Sequence, residues 1–112
     1  MQVELRIADL PLDALAAASV FHSKWLEQIE ASLGGTGDAA AIVMPPASYN
    51  HTDWRRAAAR DLARKFAPAR VNIVAGSDEG KVASTLAYLA GASGVTGQYL
   101  ITDGNSDSDE LD

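Results

Sequence analysis

The run Ala40 to Met44 (AAIVM) constrains this chain more than any other stretch of it. Five successive positions carry no polar side chain, whereas a strand with one wet face alternates polar and apolar residues. A segment of this kind reads as an inner strand of a parallel sheet, covered on both faces, and Pro45-Pro46 stops it. The flanking segments fall into place around that demand. Gln2, Val3, Glu4, Leu5, Arg6 and Ile7 alternate with a period of two, so residues 2–8 read as an edge strand with one buried face. Val71 to Ala75 is a third strand and Gln98 to Thr102 a fourth.

Helical periods fill the intervals. Leu10-Pro11-Leu12-Asp13 opens a long helix to about Leu33, with Leu15, Ser19, His22, Leu26, Ile29 and Leu33 as a stripe that Phe21 and Trp25 widen. Gly34-Gly35-Thr36-Gly37 ends it. A second helix runs from about Asp53 to Phe66, its apolar side on Trp54, Ala58, Leu62 and Phe66, until Pro68 stops it. Asp78 and Glu79 start a third, which reaches about Ala90 and closes at Gly91 and Gly94. The order β-α-β-α-β-α-β predicts an α/β domain with a four-stranded parallel sheet over residues 1–104, and residues 105–112 read as an acidic, disordered tail. Right-handed crossovers between strands in sequential order would stack every helix on one face. Either the third helix crosses to the far side, or another subunit covers what is left bare.

Composition narrows the function classes. At 112 residues the chain suits one domain, and it contains no cysteine, so disulfides, thiolate metal sites and thiol nucleophiles are excluded. A net charge of −6 disfavours nucleic acid and anionic membranes as partners. Five of the nine basic side chains (Arg55, Arg56, Arg60, Arg64, Lys65) cluster at helical spacing, which reads as a solvated or salt-bridged face. No signal-peptide pattern or spanning run is evident, so a cytoplasmic location is the default expectation.

Two blocks point to a family. Leu62-Ala63-Arg64-Lys65-Phe66-Ala67-Pro68 with Arg70-Val71-Asn72-Ile73-Val74-Ala75-Gly76 resembles the helix and strand that close the catalytic half of short-chain dehydrogenase/reductases. Lys81-Val82-Ala83 to Leu89-Ala90, then Val95-Thr96-Gly97-Gln98-Tyr99-Leu100-Ile101-Thr102-Asp103-Gly104, resembles the end of that family's chains. The resemblance implies a truncated Rossmann-like fold equivalent to the C-terminal half of such an enzyme, similar to short proteins of this type in proteobacteria.

Departures from the family pattern govern the functional expectation. Binding a dinucleotide requires a glycine-rich turn after the first strand, where backbone N–H groups approach the pyrophosphate. Here the junction is Ala8-Asp9-Leu10-Pro11-Leu12, and no glycine precedes Gly34. The family's chemistry requires a tyrosine acidified by a lysine four residues later. Four residues after Tyr49 stands Asp53, an anion that would raise the phenol pKa. No bound cofactor is expected, and the chain reads as a non-catalytic, degenerate member of the family.

The polar groups after the strand ends, Ser48, Tyr49, His51, Asp53, Gly76 and Ser77, form the candidate ligand site, because open α/β sheets bind ligands there. Ser48, His51 and Asp53 lie too close together in sequence for an obvious hydrolase triad, and capping by His51-Thr52-Asp53 is the plainer reading. No metal site is expected. His22 has Trp25 and Leu26 where further ligands would stand, and Asp103 to Asp109 lacks the turn glycine and distal glutamate of a calcium loop. The resemblance further implies pairing of two subunits through the first two helices, giving a candidate interface of Phe21, His22, Trp25, Ile29, Trp54, Arg56 and Arg60. Glu27 and Glu30 of one copy could face Arg56 and Arg60 of another. The leading expectation is a homodimer or a protein-binding, regulatory partner. The alternatives are a subunit completing the site of a full-length dehydrogenase, and a small-molecule or hydrolytic site near Tyr49. Strand addition at residues 2–8 offers a further route to a partner.

Overall fold

A computed structural model of the chain describes residues 1–34 and 38–102. Four parallel strands, β1 (Gln2–Arg6), β2 (Ala39–Met44), β3 (Arg70–Ala75) and β4 (Tyr99–Ile101), lie side by side in sequential order. Ala39 pairs with Gln2 on one side and Arg70 on the other, so β2 and β3 are interior strands and β1 and β4 are edges. Burial follows position: every residue of β2 is buried, while β1 keeps Glu4 and Arg6 exposed, as its alternation requires.

The helices are α1 (Ala14–Val20), α2 (Leu26–Gly34), α3 (Thr52–Phe66) and α4 (Glu79–Gly91). Asp13 caps α1 by accepting from the Ala16 amide, and Asp78 caps α4 by accepting from that of Lys81. Between α1 and α2 lies a π-helical turn, Phe21–Trp25, which keeps the helical run continuous but widens its pitch. This corrects the stripe expected from a regular 3.6-residue period. The core-packed side chains are Ala17, Phe21, Trp25, Ile29 and Leu33, four apart, with Leu26 beside them, so the expected Leu26, Ile29 and Leu33 stand, whereas Leu15 is 83% exposed and Ser19 and His22 are exposed as well. A uniform α-helix would rotate a four-residue ladder around its axis, and the wide turn resets it.

The sheet separates two apolar clusters. On one face, the π-helical turn, α2 and α3 bring Phe21, Ile29, Ala58, Ala59 and Leu62 onto Ile42, Met44, Val71 and Ile73. On the other, α4 brings Val82, Leu86 and Leu89 onto Ala41, Val43 and Val74. Of the two ways to cover the sheet, the chain itself therefore uses the first: its last helix crosses over. The strands still advance in the same direction, so the β3–α4–β4 connection has the opposite hand to the two before it. Buried Asn72 holds that connection in place, donating from Nδ2 to the Val95 carbonyl (3.0 Å) and accepting at Oδ1 from the Gln98 amide (3.0 Å). The acidic segment 105–112 and the calcium-loop-like run from Asp103 lie outside the described residues. Among the described residues no helix is long and apolar enough to cross a membrane.

Candidate functional site

Chain leaving the carboxyl ends of β1, β2 and β3 encloses two clefts, with Pro45-Pro46 as their common wall. The larger, of about 350 Å³, lies between the loop after β1 and the start of α4, and is lined by Arg6, Ile7, Met44, Gly76, Ser77 and Glu79. Arg6 and Glu79 form an ion pair of 3.3 Å there, with both groups well exposed, so the pair is screened and adds little stability. The smaller, of about 210 Å³, lies between residues 10–12 and the start of α3. Leu10, Pro11, Leu12 and Ala47 supply its apolar walls, and Ser48, His51 and Arg55 its polar groups.

The six sequence-predicted residues do not converge. Gly76 and Ser77 line the larger cleft, Ser48 and His51 the smaller, and Tyr49 and Asp53 line neither. Tyr49 is 64% exposed on the 3-10 turn Tyr49–His51 that leads into α3. Gly76 has a structural reason to be glycine: a Cβ there would stand 2.0 Å from Thr102 Oγ1.

His51 is buried and fully engaged. Its Nε2–H donates to the Leu12 carbonyl (2.8 Å), and Nδ1 accepts from the Trp54 indole N–H (3.1 Å). A neutral imidazole has one donor and one acceptor, and both are used, so the ring ties the loop after β1 to α3 and has no nitrogen left for proton transfer. The Ser48 hydroxyl donates to Asn50 Oδ1 rather than to His51, so no nucleophile–base pair forms. The expected side-chain capping of α3 is also absent, since neither Ser48 nor His51 makes a cap bond and the 3-10 turn takes over that junction. Among the described residues no cluster of three or more His, Asp or Glu side chains could hold a metal ion.

The residue that sequence reasoning missed is Arg55. It is 1% exposed, at the start of a buried stripe continued by Ala58, Ala59 and Leu62. Its Nη1 donates to the Pro45 carbonyl (2.9 Å) and to the Tyr99 hydroxyl (3.2 Å), while its guanidinium carbon lies 5.6 Å from the centre of the Trp54 ring and 5.8 Å from that of Tyr99. The spacing 55-58-59-62 was the available signal, but a basic cluster read as solvated concealed it.

The candidate interface also divides. Phe21 and Ile29 belong to the protomer's own core, at 0% and 1% exposure, and cannot meet a partner. His22, Arg56 and Arg60 are exposed, and Trp25 and Trp54 are half-buried. His22 Nδ1–H donates to the Ala18 carbonyl (2.8 Å), and its ring lies edge-on to Phe21 and Trp54.

A sequential parallel sheet with an oppositely handed final crossover, and clefts at the carboxyl ends of its strands, defines a Rossmann-like α/β domain. The family model of short chain dehydrogenase-like proteins matches residues 5–102, and the chain belongs to that family. No curated protein and no solved structure matches it.

Proposed function

We propose that this chain is a non-catalytic member of the family that works in the cytoplasm as a homodimer, its helical layer serving assembly and not nicotinamide chemistry. The carrying observation is the outer surface of that layer. Glu27 and Glu30 on α2 and Arg56 and Arg60 on α3 are all exposed, and none has an ion-pair partner among the described residues. Half-buried Trp25 and Trp54 lie on the same layer. A two-fold axis across this surface would set the acidic row of one copy against the basic row of the other, with the aromatic groups between them. The lack of catalysis is supported by Asp53 in place of the needed lysine, by the glycine-free connection after β1, and by a His51 with both nitrogens committed.

Sedimentation at tens of micromolar should give a species of twice the 11.7 kDa chain mass. Arg56→Glu with Arg60→Glu should give monomers, and mixing this variant with Glu27→Lys, Glu30→Lys protein should restore a dimer. A wild-type chain that stays monomeric refutes the assembly reading. Saturable NADH binding to the isolated chain refutes the non-catalytic one.

A further inference from the structure

We infer that the smaller cleft is a binding site for a small organic monocarboxylate with an apolar tail, with Arg55 as its anchoring cation. The guanidinium of Arg55 is almost completely removed from water. An interior cation normally has an anion beside it, because the interior offers little else to replace its hydration. Arg55 has none: no carboxylate pairs with it among the described residues. Two neutral oxygens and two aromatic faces hold Nη1 and the guanidinium plane, which fixes the group without neutralising it. The opposite edge is unused. Nε is buried with no partner, and Nη2 makes no hydrogen bond among the described residues. Nε is shut off from solvent, so an anion in the cleft meets the guanidinium first at Nη2, and pairing with both donors of that edge requires the wall over Nε to shift.

The cleft around this group suits the same ligand. The amino end of the 15-residue helix α3 lies at its polar end, preceded by Ser48, whose side chain makes no cap bond. Helix polarity there adds to the attraction for an anion. The remaining walls are Leu10, Pro11, Leu12 and Ala47 with the two prolines, which offer contact to hydrocarbon and no further charge. One cation matches one negative charge, and a phosphate dianion would leave its second charge against apolar walls. A volume of about 210 Å³ is enough to hold a short-chain acid. This site is independent of the dimer proposed above.

The test uses the full chain with butyrate, 1-butanol and inorganic phosphate as probes, followed by amide and indole NMR shifts. Butyrate should produce saturable shifts at Ser48 to His51 and at the Trp54 indole, and should raise the wild-type Tm above that in equal chloride. Affinity should fall by about tenfold or more in Arg55→Gln and partly recover in Arg55→Lys, which keeps the charge and loses the paired donors. The thermal shift on wild-type protein decides the matter even where a variant fails to fold. Absence of saturable shifts overturns the site, and so does equal binding of butanol or unchanged binding in folded Arg55→Gln. Phosphate binding tighter than butyrate overturns the ligand class.

Discussion

Replacing Gly76 with alanine should destabilise the domain through one side chain, Thr102, and removing that side chain's hydroxyl should abolish most of the effect. A Cβ at position 76 would meet Thr102 Oγ1 at 2.0 Å and Val82 Cγ2 at 3.2 Å. The threonine hydroxyl must then leave its bond to the Ala75 carbonyl (3.1 Å) or the strand ends must part. Crowding of this kind costs about 1–3 kcal/mol, offset by roughly 0.4–1 kcal/mol from the stiffer unfolded chain, for a net loss near ~1.5 kcal/mol. Thr102→Ala alone should cost only about 0.5–1 kcal/mol, since the Ala75 carbonyl still accepts from the Thr102 amide at 2.9 Å. On that background Gly76→Ala has only the Val82 methyl to displace, and should lie within about 0.5 kcal/mol of neutral. Urea unfolding of the four proteins in a double-mutant cycle reads the coupling directly, at about 1–1.5 kcal/mol. Strictly additive effects would show that Gly76 is needed for another reason, such as contact with a ligand in the larger cleft.

Two further substitutions probe the ties around the clefts. His51→Ala removes both the Leu12 tether and the Trp54 bond from a buried position, and should cost about 2–4 kcal/mol in urea unfolding with a change in tryptophan fluorescence; a loss below about 1 kcal/mol would show that the ring is not a tie. Asn72→Ala strips partners from the Val95 carbonyl and the Gln98 amide, so it should cost about 2–3 kcal/mol and speed hydrogen exchange at Tyr99 to Ile101 before the rest of the sheet, whereas uniform acceleration would contradict a local role.

The sheet was legible because strand burial leaves a direct trace. Ala40 to Met44 has no polar residue since both its faces are covered, and residues 2–7 alternate since β1 is an edge. Which element covers the second face was not legible: an apolar Val43 is compatible with a helix of its own chain or with a partner, and only the placement of Val82, Leu86 and Leu89 decides between them. The first helix was found with the later part of its stripe in place, but Leu15, Ser19 and His22 were set on the wrong side, because nothing in Phe21 to Trp25 announces a wide turn. Phe21 was assigned to an interface because the family resemblance implied pairing through this helix, whereas it belongs to the protomer's core. The candidate site was drawn from polar residues after strand ends, a rule that places residues at one end of a sheet without saying which side of a wall each will occupy. Arg55 escaped for the opposite reason, since a charged residue among four other basic ones gives no local sign that it points inward.

Pro45-Pro46 is a partition with a different tenant space on each side, and the Pro45 carbonyl is also what Arg55 holds. A substitution at either proline therefore reshapes both spaces at once, and any loss of the Pro45 carbonyl's position also releases the Arg55 guanidinium.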